Sequence, residues 1–230
     1  MTFRNRLQYF VVKFLRISNK EAVQLFLAHK ILLNGKVAAA NDLLFPEDEV
    51  VFDWNIIKPK TLYTYIAYHK PVGVESTLNT DIEHNLVQAL GLSVRLFPVG
   101  RLDKASEGLM LLTNNGKIVN KILNENQEKE KEYEVEVNRT LGLDFLDALR
   151  NGMVIMGQLT KPAKVVAFAD TKFSIILTQG LNRQIRRMCY QYDYEVLVLK
   201  RIRITAITLG DLTPGAWRYL SEEEVKALWH

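Results

Sequence analysis

Apolar positions change their spacing along this chain, and the change divides it. Near the amino terminus Leu7, Phe10, Val11, Phe14 and Leu15 recur at i, i+3, i+4, i+7 and i+8, the stripe of a helix with one buried face. Ser18 followed by Glu21 forms a capping box that opens a second helix, with Ala22, Leu25 and Phe26 inward and an end near His29. Asn34-Gly35 between ILL and KVA supplies a hairpin turn, and EVVFD at 49–53 reads as a short strand. These elements make a small module over residues 1–57. Pro59 interrupts the IIKPK tract, and residues 58–62 read as a linker.

From residue 63 to residue 230 the pattern turns to extended segments: YTYIAYHK, KEYEVEV (131–137), FSIILTQ (173–179) and YEVLVLKRIRITAITL (194–209). Tyr133, Val135 and Val137 alternate with Glu132, Glu134 and Glu136, which marks an antiparallel strand with one wet face. Helices are expected at about 105–112, 117–124, 143–150 and 182–192, and Ser221 with Glu224 caps a last one. Strands and helices mix without a βαβ rhythm. The expectation is an α+β domain on a mainly antiparallel sheet, preceded by a small module.

Composition narrows the possibilities. The 230 residues are 48% hydrophobic and 24% charged, as in an ordinary globular protein. No apolar run approaches the ~18–20 residues of a membrane span, no signal-peptide pattern is present, and the single cysteine, Cys189, allows no internal disulfide. A cytoplasmic protein without a membrane partner is expected. The net charge of +4 is modest, but it is clustered. Arg4, Arg6, Lys13, Arg16, Lys20, Lys30 and Lys36 face one acid, Glu21, within the first 36 residues. Arg183, Arg186, Arg187, Lys200, Arg201 and Arg203 form a second basic cluster near Asp193 and Glu195. Two positive surfaces favour a polyanion such as RNA, with solvated helix faces as the plainer alternative.

There is no GxGxxG, no phosphate-binding P-loop and no His or Cys pair at ligand spacing. If the chain is an enzyme, a carboxylate carries the chemistry, without metal or organic cofactor. Asp103 is the first candidate, in GRLDKASEGLMLLTNNG (100–116), because Arg101 and Lys104 favour its ionised form. Capping the helix expected after it competes with that role. Tyr133 fits core packing, or else stacking on a base and handling a proton. In GLNRQIRRM (180–188) Gly180 suits a turn, Asn182 a helix cap, and Arg183 and Arg186 share a helical face. Those arginines can grip phosphates or pair with a buried carboxylate. A glycosidase-like hydrolase would need a second placed acid, and Glu107 is the nearest candidate.

These segments occur in a familiar order. GRLDKASEGLMLLTNNG, KEYEVEV and LTQGLNRQIRRM together resemble the RsuA/RluB/RluE/RluF family of ribosomal RNA pseudouridine synthases, most of all its RluF-type members. YHKPVGVEST (68–77) and PGAWRYLSEEE (214–224) are similar to its first and closing segments, and SNKEAVQLFLAHKILLNGK to an S4 RNA-binding domain. The module departs from the S4 pattern where PEDEVVF (46–52) replaces a glycine-aspartate pair. The resemblance implies a catalytic domain with a central cleft between two half-sheets. It implies that Asp103 is the catalytic carboxylate, Tyr133 the active-site tyrosine, Arg186 the partner of the aspartate and Leu199 a pocket residue. Arg101 is a further pocket candidate, and Arg183 and Arg187 are candidates for phosphate contact. The implied reaction turns uridine into pseudouridine in structured RNA, with ribosomal RNA as the first candidate substrate and transfer RNA as a further one, and a monomeric enzyme is expected. It leaves open whether Asp103 attacks C6, attacks C1′ or abstracts a sugar proton. The alternative is a non-catalytic RNA-binding or ribosome-assembly factor that keeps the fold.

Overall fold

The change in periodicity corresponds to two structural units, Met1–Tyr63 and Thr64–His230. The computed structural model describes residues 6–124 and 128–229. In the first unit α1 (Leu7–Leu15) buries Leu7 and Val11 and ends at Arg16, whose φ is 56°. Both halves of the capping box at Ser18 and Glu21 form at the start of α2 (Asn19–Leu27), satisfying amides that the first turn leaves without helical partners. Strands β1 (Ile31–Leu33), β2 (Lys36–Val37), β3 (Val50–Phe52) and β4 (Asn55–Lys58) form an antiparallel sheet in the order β2-β1-β3-β4. Leu7, Val11, Ala22, Phe26, Ile31 and Val50 make its core. Lys58, expected in the linker, instead completes β4, and its ammonium donates to the carbonyls of Pro46 and Asp48.

The second unit is built on a sheet that has nine strands among the described residues. Its main path runs through β11 (Lys164–Ala169), β12 (Lys172–Leu177), β8 (Lys131–Val137), β13 (Val196–Ile204), β7 (Glu107–Thr113), β5 (Tyr65–Lys70) and β15 (Trp217–Tyr219). The short strands β6 (Phe97–Pro98) and β14 (Ile207–Thr208) attach to β7 and β13, while β9 (Val154–Ile155) and β10 (Gln158–Leu159) form a separate hairpin. The pairs are antiparallel except at the centre, where β13 runs parallel to β7 through only Lys200↔Glu107 and Arg201↔Gly108. This seam joins two half-sheets. Gly108 has φ +110°, and a Cβ there would lie 2.5 Å from the Arg201 amide nitrogen and closer still to its carbonyl oxygen. The strands can meet here only at a glycine.

The helix expected over 105–112 is a strand. Leu109 and Leu111 pack with Ala67, Ile118 and Ile204 on one face of the sheet, and Met110 and Leu112 with Ile66, Tyr68 and Leu86 on the other. A strand covered on both faces has no polar alternation, and a short apolar run does not distinguish it from a buried helix. Helix α4 (Gly116–Leu123) covers the first face, and α3 (Leu86–Leu90) covers the second. In the other half-sheet Val135, Phe173 and Ile175 pack beneath α5 (Leu143–Asn151) and α6 (Gln184–Tyr190). The last helix, α7 (Glu222–Ala227), carries the expected capping box at Ser221 and Glu224.

Candidate active site

A cleft of about 710 Å³ opens where the two half-sheets meet. That is room enough for a nucleotide-sized ligand. Asp103, Arg101, Lys104, Tyr133, Arg183 and Leu199 all line it, so residues far apart in sequence share one space. A smaller cavity of about 300 Å³, lined by Glu132, Glu134, Lys200 and Arg203, contains none of them.

Asp103 sits in the loop that leads into β7, not at a helix start, so the capping role has no helix to serve. Leu102 is buried beside it and plants the loop in the core. The Asp103 side chain is 31% exposed, and Arg183 Nη1 stands 3.7 Å from its carboxylate. That distance is an ion pair without a good hydrogen bond. Lys104 turns to Glu75 at 3.9 Å. Tyr133 is half-buried on β8, packs against both half-sheet cores and stands opposite Arg201 across the ladder with β13. Leu199 lies two residues before Arg201 on β13, and it is buried at the cleft.

Arg186 does not make the expected ion pair with Asp103. Its guanidinium donates to the Ala105 carbonyl at 2.8 Å, the Ser106 hydroxyl at 3.2 Å and the Val196 carbonyl at 3.0 Å. Burial and the neighbouring Arg183 pull its pKa below the usual arginine value, against an opposing effect of the Asp103 charge. Arg186 thus ties α6 to the loop bearing Asp103, and Arg183 alone of the two reaches the carboxylate. Arg183 can do so because it precedes α6 with φ 52°, taking the N-cap position expected for Asn182. Asn182 instead accepts from Arg187 through its backbone and side-chain oxygens. Arg187 is therefore engaged within its own segment.

Other expectations also change. Arg201, counted with a surface cluster, is 2% exposed; its Nε donates to the Leu109 carbonyl at 2.7 Å, and its Nη2 has no hydrogen-bond partner among the described residues. Arg203 bonds to Glu132 and Glu130. Glu107 lies outside the cleft lining, 3.8 Å from His69 Nε2, and does not face Asp103 as a second acid. In the first unit Arg6, Arg16, Lys20, Lys30 and Lys36 are all exposed; Arg4 lies outside the described residues. The sequence pattern did not point to Arg201, Gln179 and Gln184 as part of the cleft wall. The signal for Arg201 was its place two residues after Leu199 on one strand, which puts both side chains on one face.

Residues 64–191 match the RNA pseudouridylate synthase family. The chain belongs to that family. It is 40% identical over 210 residues to the dual-specificity RNA pseudouridine synthase RluF of Escherichia coli K12, covering 90% of this chain and 72% of the relative. An uncharacterized RNA pseudouridine synthase of Aquifex aeolicus is 31% identical over 229 residues, covering 97% of this chain and 95% of the relative. A crystal structure of a pseudouridylate synthase superposes with a TM-score of 0.69 at 24% identity, over 97% of this chain and 99% of that one, and so shares the fold. As a pseudouridine synthase the chain is an isomerase of uridine in RNA, and the cleft is where that reaction is to be sought.

Proposed function

We propose that Asp103 is the nucleophile of the isomerisation, acting on a uridine turned out of its RNA stack into the cleft. The observation that carries this reading is the Asp103 carboxylate itself, presented in a cleft of nucleotide size with Tyr133 on the facing half-sheet. Pseudouridine has the composition of uridine. The bond from C1′ to N1 breaks, one from C1′ to C5 forms, C5 loses its proton and N1 gains one. A carboxylate that bonds transiently to the nucleoside holds it while the base is detached and turned, then leaves unchanged. Tyr133 stacks on the uracil and assists removal of the C5 proton. Arg183 balances the Asp103 charge and, with Arg101, meets the RNA backbone, as a flipped nucleotide requires.

The target that best suits this chain is structured RNA, first of all large-subunit ribosomal RNA, with transfer RNA as a second substrate. The dual specificity named for the RluF relative supports that pairing. The exposed Arg6, Arg16, Lys20, Lys30 and Lys36 give the amino-terminal unit, which we take as an S4-like RNA-binding module, a surface for phosphates. We take the enzyme to work as a monomer in the cytoplasm, with no cofactor. Asp103→Asn tests the core of the proposal. The variant is expected to lose pseudouridine formation by at least about a thousandfold while its RNA affinity changes less than about threefold. Isomerisation at the wild-type rate by Asp103→Asn would overturn the mechanism.

A further inference from the structure

Ser76 does not line the cleft, yet it touches the residue that precedes Asp103. It is 5% exposed. Its hydroxyl donates to the Leu102 carbonyl at 2.6 Å and accepts from the Leu102 amide at 3.1 Å. One side-chain atom thus engages both backbone polar groups of Leu102, which a hydroxyl can do because it is donor and acceptor at once. The Leu102 side chain is also buried, so this residue is fixed by packing as well as by hydrogen bonds.

The same economy continues along the loop. The Asp103 carbonyl accepts from the Ser106 amide at 3.0 Å, and that of Lys104 from the Gly73 amide at 2.8 Å. The Ala105 carbonyl accepts from Arg186 at 2.8 Å. From Leu102 to Ala105 every carbonyl is engaged, and two of the four donors come from the segment 73–76. Turning any peptide of this loop forfeits a bond, and the Ser76 contact is the one adjacent to Asp103.

We propose that Ser76 is a positioning residue for the isomerisation: through Leu102, its hydroxyl fixes the Asp103 carboxylate at the point in the cleft where it meets the uridine. This inference rests on the reading of Asp103 as the nucleophile. Displacing a reacting group by ~1 Å costs on the order of a hundredfold in rate, whereas RNA affinity should be spared because Ser76 does not line the cleft.

The test compares Ser76→Ala, Ser76→Val and Ser76→Thr with wild type and Asp103→Asn. Single-turnover tritium release is measured on 5-tritiated total RNA from cells lacking the protein, and RNA affinity is measured in parallel. Ser76→Ala and Ser76→Val are expected to slow release about 10- to 100-fold, with dissociation constants within about twofold of wild type. Ser76→Thr, which keeps the hydroxyl, is expected within about threefold of the wild-type rate. Val and Thr share a shape, so this pair decides the matter if Ser76→Ala does not fold. Equal rates for Val and Thr, or an unchanged rate for Ser76→Ala beside an inactive Asp103→Asn, overturn the role of Ser76. Full activity of Asp103→Asn would instead overturn the nucleophile itself.

Discussion

The two walls of the cleft carry charge in opposite ways. On one wall Asp103 stands on a loop whose carbonyls are engaged from Leu102 to Ala105 and whose root is the Gly108–Arg201 seam. On the other wall Arg183 precedes α6 in a left-handed conformation, its side chain 48% exposed and its ion pair with Asp103 3.7 Å long. An exposed pair of that kind contributes under about 1 kcal/mol. The difference suits the tasks proposed for the two groups. A nucleophile has to meet one atom of one base, and fixing it before the substrate arrives lowers the cost of reaching the transition state. A cation that meets RNA phosphates gains from being free to follow them. In this cleft, rigidity belongs to the anion and compliance to the cation.

The sharpest way to break that contrast is at the root of the fixed wall. Gly108→Ala forces a Cβ against the Arg201 backbone at φ +110°. Overpacking and backbone strain together should cost about 4 kcal/mol of folding stability, read from denaturant unfolding. Gly180, on the compliant wall, has no positive φ, and a Cβ added there would meet nothing within 4 Å. Gly180→Ala is expected within about 0.5 kcal/mol of wild type. Equal losses for the two alanines would show that the walls are not built differently.

A smaller contrast separates the two neighbouring arginines. Arg186→Ala removes bonds to Ala105, Ser106 and Val196, and it leaves the hydroxyl of buried Ser106 and the part-buried Val196 carbonyl without that donor. It should cost about 3 kcal/mol and slow catalysis through the loosened Asp103 loop. Arg183→Ala should leave stability within about 0.5–1 kcal/mol, while weakening RNA binding in a salt-dependent way. If Arg183→Ala is the more destabilising of the two, Arg183 is the structural member and the assignment made from the geometry is reversed.

How much of this was legible in the sequence depends on whether an element has one wet face. KEYEVEV alternates because β8 has polar glutamates on one side, and it reads directly as a strand. EGLMLLT has no such side, since β7 is covered by two cores, and it reads as readily as a helix. That error placed Asp103 at a false helix cap. The capping boxes at Ser18 and Ser221 and the Asn34-Gly35 turn depend on local chemistry alone, and all three formed as expected. The cleft was legible only through resemblance, which brought Asp103, Tyr133 and Leu199 together. The exchange of roles between Arg183 and Arg186 was not, because it turns on one left-handed residue ahead of α6. Ser76 lies within the YHKPVGVEST segment of the resemblance, but nothing there assigned it a role. A serine that serves by bonding to a backbone 26 residues away has no local pattern.

The smallest effect tests whether the fixed wall also carries a cost of buried charge. Lys70 ends β5 with its side chain fully buried, and its ammonium donates to the carbonyls of Pro71 at 2.9 Å and Val74 at 2.8 Å. Burial lowers its pKa to about 8, Arg201 adds to the effect, and Glu75, Asp103 and Glu107 oppose it. The folded state therefore releases this proton near pH 8, while the unfolded chain keeps it to about 10.4. Between those values the unfolded state binds more protons, so the Lys70 contribution to stability rises with pH, and it falls away as pH drops toward 8. Other groups titrate in the same window, which makes the useful quantity the stability of wild type minus that of Lys70→Met. That difference should climb by about 2–3 kcal/mol from pH 8 to pH 10.5, measured by urea unfolding at each pH. A flat Lys70 difference would mean that its ammonium is as well stabilised under the Asp103 wall as in water.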